Sequence, residues 1–300
     1  MVFETEYREL LKRTLKGRLT PNRTGQPGYR VFGGSIRHSF INGFPLISSK
    51  FTNFNSAKHE ILWFLNGGTN IKYLNNNGVH IWDAWADIFG DLGPIYGKQW
   101  KSWGPNEVDQ IANLIAQLKA DPFSRRGLVS AWNVDDLNSM ALPPCPVLFQ
   151  VCLEAADPLY VKTYNNKLMS SITDLYGVQG AKLEKRSPKY VLNMSIYQRS
   201  VDTFLGLPFD FASHGVLALI LANSLDAIPG EMFWSGSDIH LYKNHEEQAE
   251  TLLSRPYTFD RKTSPWVEVF SAADYSNVLP SDINLFNYNP MSYIKGDISV

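Results

Sequence analysis

The chain has only two cysteines in 300 residues, so no disulfide framework can hold it together. It also lacks an excess of either charge, since 28 Lys and Arg stand against 29 Asp and Glu for a net −1. Bulk positive charge for gripping a polyphosphate is therefore missing, and nucleic acid is not an expected partner. No apolar run reaches membrane-spanning length, and the opening Met1-Val2-Phe3-Glu4-Thr5-Glu6 lacks the basic-then-apolar layout of a signal peptide. Internal repeats and low-complexity linkers are absent. So is a phosphate loop, because Gly33-Gly34 and Gly67-Gly68 have neither the spacing nor the lysine. What the chain does have is apolar mass, 44% hydrophobic and 13% aromatic, which excludes disorder and suffices for a large core. A globular protein of a reduced compartment, acting in the cytoplasm without a membrane partner, is the expectation.

Hydrophobic spacing sets out the elements. Tyr7, Leu10, Leu11 and Leu15 predict a helix over Phe3 to Lys16, and Tyr29 to Phe40 reads as extended chain. Ser56 is placed as the N-cap of a helix carrying His59, Glu60, Leu62, Trp63 and Leu65. A further helix is expected from Glu107 to Ala120, stopped by Asp121-Pro122. Leu128 to Trp132 and Cys145 to Leu153 read as strands apolar on both faces. Val191 to Ser200 is another strand, and Pro208-Phe209-Asp210 leads into an apolar helix from Ser213 to Leu225. The polar span Glu154 to Tyr190 is expected to be an excursion between neighbouring strands, partly helical or mobile.

Several residues could carry chemistry. Cys145 enters a strand behind two rigid prolines, where a thiol can be held facing a cleft, whereas Cys152 reads as a small buried apolar residue. Glu60 shares the apolar face of Trp63 and Phe64, so its carboxyl is either paired or raised in pKa and suited to proton transfer. Arg23, Arg125, Arg126 and Arg199 fall at chain reversals beside Ser124 and Ser200, the makings of a site for one dianionic phosphate. His240 and His245 invite a metal reading, but the following Glu246-Glu247-Gln248 lacks the HExxH pattern and no second Cys/His cluster exists, so no metal is expected.

Taken together these segments resemble the thymidylate synthase family. The resemblance is carried by Arg23-Thr24-Gly25, Gly43-Phe44-Pro45-Leu46, His59 to Leu65, Ile81-Trp82-Asp83, Leu92 to Trp100 and Ser124-Arg125-Arg126. It continues through Ser130 to Asn133, Met140 to Cys145, Gln198 to Asp202, Phe204 to Phe209 and Asp238 to His245, in the family's order and over nearly the whole chain except 154–190. It implies one α/β (α+β) domain over residues 1–300 around a large mixed sheet, with an insertion at about 154–190, forming a homodimer through the sheet backs. It implies Cys145 as nucleophile, Glu60 as proton-relay carboxylate, and Tyr96 as helper in removing the C5 proton. Arg23, Arg199 and Ser200 would hold the phosphate together with the partner's Arg125 and Arg126. His240 and Tyr242 would meet the ribose, and Gln198 and Asp210 the base. Ile81, Trp82, Asp202, Gly206 and Val300 would face the cofactor, 5,10-methylenetetrahydrofolate.

Four positions depart from the family's pattern. After Phe209 the family's thymidylate synthases carry Asn, but this chain has Asp210. A carboxylate can accept from the cytosine 4-amino group and from a protonated N3, whereas an amide matches uracil. Pro146 stands where His is usual, His214 where Tyr is usual, and Ala84 where Glu is common. The expected substrate is dCMP and the expected product 5-hydroxymethyl-dCMP, with dCMP or dUMP methylation as alternatives and a non-catalytic nucleotide- or RNA-binding protein as a remote one.

Overall fold

The longest apolar stretch of the sequence becomes the middle of the molecule. Helix α7, Gly206–Ser224, is buried at every residue from Phe211 to Ala222, as a helix without a polar face must be. It connects strand β5 (Tyr190–Asp202) to strand β6 (Ala227–Tyr242), which run parallel. In the computed structural model residues 2–22, 25–176, 187–270 and 274–298 are described, the side chains of 171–176 excepted.

Around that β5–α7–β6 unit the sheet grows by antiparallel pairing. On one side lie β2 (Gly28–Ser39) and β1 (Arg18–Thr20); on the other lie β4 (Pro146–Ala155) and β3 (Leu128–Ser130). The order is β1-β2-β6-β5-β4-β3, a mixed six-stranded sheet, with β7 (Trp266–Val269) and β8 (Ile283–Phe286) as a separate antiparallel pair. One sheet face carries α7, and against α7 packs α2 (Phe54–Leu65). Helix α1 (Phe3–Leu15) closes the same side, its Phe3 ring stacked on Phe211 at 4.0 Å. The short helices α3 (Lys72–Asn76) and α4 (Tyr96–Lys101), then α5 (Gln110–Ala120), continue this layer.

The other sheet face is open. Phe32 is 92% exposed, and Leu128, Cys152 and Tyr197 are exposed beside it. This corrects two expectations: β4 buries Phe149, Val151 and Leu153 on one face only, and Cys152 is not a core residue. Alternation along a pleated strand turns it to the uncovered side.

Three helix starts also differ from expectation. Asn53, not Ser56, caps α2, its side chain accepting from the Ser56 backbone N–H at 3.2 Å. Asp109 caps α5 through the Ala112 N–H, while Glu107 takes a left-handed φ of 51° ahead of it. Helix α7 begins at Gly206, with Pro208 in its first turn, where its missing N–H costs nothing. In the excursion, Pro158–Tyr176 forms α6, whose Tyr164 and Leu168 join Val191, Ile228, Trp266 and Phe286 in a small second apolar cluster. Helix α8 (Glu246–Ser254) completes the set, and no helix among the described residues is long and apolar enough to cross a membrane.

Candidate active site

The carboxyl ends of the parallel pair β5 and β6 are where an open sheet leaves a crevice. Along β5, Gln198, Ser200 and Asp202 lie beside Gly236, Asp238 and His240 of β6, and on the far side Gln198 faces Pro146 of β4. Cys145, the residue before β4, is thus delivered to the same edge as Arg199, Ser200, Asp202, His240 and Tyr242.

The turn bearing Cys145 is clamped by one side chain. Arg199 donates from Nε to the Pro144 carbonyl and from Nη2 to the Pro143 carbonyl, both at 2.8 Å, and its backbone N–H reaches the Cys145 carbonyl at 2.9 Å. Its Nη2 lies 3.8 Å from Cys145 Sγ, and the guanidinium packs over the Trp132 ring at 5.4 Å. A fixed cation beside a thiol favours the thiolate. Among the described residues Nη1 makes no hydrogen bond and is left for an anion.

From the helical side, Tyr96 opens α4 and its hydroxyl accepts the Cys145 backbone N–H at 2.8 Å. Burial, and then the charges of Cys145 and Asp210, push its phenol well above the ordinary range. Glu60 projects from α2 into the same space, accepting from Trp82 Nε1 at 2.8 Å and from Ser213 Oγ at 3.1 Å. Burial among Trp63, Phe64, Trp82 and Tyr96 raises its pKa to about 8, against the two hydrogen bonds that lower it. A carboxyl so held can deliver and retrieve a proton near neutrality.

Asp210 sits in the first turns of α7. Its Oδ2 accepts from Gln198 Nε2 at 2.6 Å, and the Gln198 amide is oriented by Trp234 Nε1, which donates to Oε1 at 2.8 Å. Because an indole N–H only donates, the amide oxygen must face Trp234 and the NH₂ must face Asp210. Burial lifts the Asp210 pKa to about 7, opposed by the Gln198 bond. One turn on, His214 Nδ1 bonds the Asp210 carbonyl at 2.8 Å, and burial drops its pKa to about 4. Glu60, Trp82, Tyr96, Pro146, Asp210 and His214 line one cavity.

At the sheet edge, His240 packs edge-on to Tyr242 with ring centroids 5.1 Å apart, 3.8 Å from an Asp238 carboxylate that Arg30 holds. Asp202 accepts from the Phe204 and Leu205 backbone N–H groups, pinning the entry to α7. A Cβ placed on Gly206 would meet only Asp202 Cβ at 3.8 Å and Asp210 Oδ2 at 3.9 Å. The protein's own packing does not require glycine there. Ile81 is half-buried beside Trp82.

Not every expected residue joins this constellation. Arg125 and Arg126 are exposed in the turn before β3, and Gln150 ties the Arg125 carbonyl to β4. Gln150 is about 16 Å of strand from Cys145. Among the described residues, Arg199 is the arginine placed against Cys145. Arg23 and Val300 lie outside the described residues. Three contributors escaped sequence reasoning: Trp234, Ser213 and Lys50, whose buried ammonium donates to the Phe204 carbonyl at 2.5 Å beside the Asp202 turn. Ser213 and Lys50 could have been flagged as polar residues inside apolar neighbourhoods. Nothing in the sequence marks Trp234 as the residue that orients Gln198.

A family profile described as thymidylate synthase matches residues 5–300. The chain is 40% identical over 299 residues to the thymidylate synthase of Buchnera aphidicola subsp. Schizaphis graminum (strain Sg), an alignment covering 98% of this chain and 99% of that protein.

Proposed function

The chain belongs to the thymidylate synthase family of folate-dependent one-carbon transferases acting on pyrimidine nucleotides, and we propose that its substrate is dCMP and its product 5-hydroxymethyl-dCMP. The observation that carries the substrate reading is the half-buried Asp210 carboxyl, oriented by Gln198 and Trp234 and raised to about 7. One proton shared between Asp210 and cytosine N3 leaves a carboxyl oxygen to accept from the 4-amino group. Sharing it also draws electrons from the ring and makes C6 the better electrophile.

Cys145 Sγ then bonds to C6, and the electron pair of the C5–C6 double bond moves to make C5 nucleophilic. Arg199 stabilises the thiolate before attack and offers Nη1 to the phosphate with Ser200, Arg23 and the partner's Arg125 and Arg126. His240 and Tyr242 hold the ribose. Tyr96 and Glu60 handle the C5 proton, the Glu60 carboxyl acting near its pKa of about 8.

Ile81, Trp82, Asp202, Gly206 and Val300 would hold 5,10-methylenetetrahydrofolate. The free space over Gly206 and the carboxylate of Asp202 suit a flat, amino-bearing ring. When bound, this cofactor supplies a one-carbon unit at the formaldehyde level. Pro146 lines the cavity where the family commonly carries His, and the loss of that polar side chain supports water rather than hydride as the final nucleophile.

A second reading, dUMP methylation, is favoured by the name of the 40% relative, and a protonated Asp210 could also face uracil. Tritium release from C5-labelled nucleotides in the presence of the cofactor separates the readings. Release from dCMP well above that from dUMP is expected. Release from dUMP alone contradicts the dCMP reading, and release from neither leaves a binding protein.

A further inference from the structure

Asp210 and His214 are one helical turn apart on α7, so both side chains leave the same face and enter the same cavity. The His214 Nδ1 partner, at 2.8 Å, is the Asp210 backbone carbonyl. A carbonyl only accepts, so Nδ1 carries the ring hydrogen. His214 is 6% exposed, a burial that disfavours a charged ring. A neutral imidazole protonated on Nδ1 has a lone pair on Nε2 and nothing to donate there. Among the described residues Nε2 has no hydrogen-bond partner, nor is it sealed away from the cavity.

Several donors elsewhere on the cavity wall are already taken. Trp82 Nε1 and Ser213 Oγ are both turned to Glu60, and the Gln198 amide to Asp210. Pro146, on the same wall, has no N–H. A pyrimidine 4-carbonyl facing His214 would meet the Nε2 lone pair with no hydrogen between them. A 4-amino group brings two hydrogens, one for the Asp210 carboxyl and one left over.

We propose that His214 is a specificity-determining residue, accepting at Nε2 the second hydrogen of the substrate's 4-amino group. The inference rests on the dCMP reading and deepens it, because it makes two side chains one turn apart, not Asp210 alone, the reader of the base.

The test is calorimetric binding of dCMP, dUMP and the pyrimidin-2-one deoxyribonucleotide, which lacks any 4-substituent, with no cofactor present. Wild type is expected to bind dCMP at least about tenfold more tightly than either other nucleotide, the scale of a missed buried hydrogen bond. His214→Phe removes the acceptor and should shrink that preference about tenfold while leaving the dUMP constant unchanged or tighter. His214→Leu replaces it if the Phe variant does not fold. His214→Gln, whose amide oxygen can accept, should keep most of the preference. A wild type favouring dUMP overturns the dCMP reading and this inference with it. A dCMP preference that survives in His214→Phe or His214→Leu overturns the His214 role alone, as does a Gln variant that falls as far as either.

Discussion

At the scale of single residues, the nucleophile and the phosphate clamp are separate groups that share one support. Arg199 holds the Pro143-Pro144-Cys145 turn through two backbone carbonyls, contacts that do not involve the thiol. Cys145→Ser is therefore expected to cut turnover at least about a thousandfold with nucleotide affinity nearly intact; a loss of only a few-fold would remove Cys145 from the mechanism. Glu60 yields a pH test. Its folded pKa, about 8, lies above its ordinary value, so its contribution to stability is complete at low pH and is lost as pH rises toward 8. The histidines lowered to about 4, His38 and His214, act in the opposite sense, but only below about pH 6.5. Between about pH 6.5 and 8, unfolding by denaturant should show falling stability in wild type and a flatter profile in Glu60→Gln. A wild-type stability that rises across that window contradicts the assignment. Cys145 and Glu60 stand out in the sequence as polar residues in telling local settings, whereas Asp210 stands out only against the family's pattern. Trp234 does not stand out, since it meets Gln198 only where β5 and β6 lie side by side.

At the scale of elements, the site depends on how closely α4 approaches the end of α2. A Cβ on Gly97 would stand 2.3 Å from the Gly68 carbonyl oxygen, so α4 can lie where it does only because Gly97 lacks a side chain. Gly97→Ala forces the helices apart, and Tyr96 with them. A destabilisation of about 1–3 kcal/mol is expected, together with a loss of turnover out of proportion to any loss of nucleotide binding. Unchanged turnover would show that Tyr96 need not sit where it does. Helices α1 and α2 were legible from apolar spacing. The missed start of α7 has a local cause: the Asp202 carboxylate organises the Phe204 and Leu205 N–H groups ahead of the first turn, so the helix begins before its apolar run does. In α6, Tyr160, Tyr164 and Leu168 do recur at four-residue spacing, but polar neighbours dilute the stripe. What it packs on, Trp266 and Phe286, lies about a hundred residues away in sequence.

At the scale of the whole molecule, the open sheet face and the stranded arginines point the same way. Phe32, Leu128 and Tyr197 expose apolar surface on the face that the helices leave bare, and Arg125 and Arg126 are exposed in the turn before β3. A homodimer through that face, with these arginines serving the partner's phosphate site, would account for both. Mixing Cys145→Ser and Arg126→Glu chains would then create hybrid dimers with one intact site and one doubly damaged site. Activity is expected to reappear on mixing inactive parents, and its absence from verified hybrids would refute sharing. The central claim is the reaction itself. Equal amounts of dCMP and dUMP are incubated with 5,10-methylenetetrahydrofolate, the nucleotides are weighed by mass spectrometry, and dihydrofolate is followed by its absorbance. The expected result is dCMP heavier by one formaldehyde unit, dUMP unchanged and no dihydrofolate; dUMP heavier by one methylene unit, with dihydrofolate in step, would contradict it.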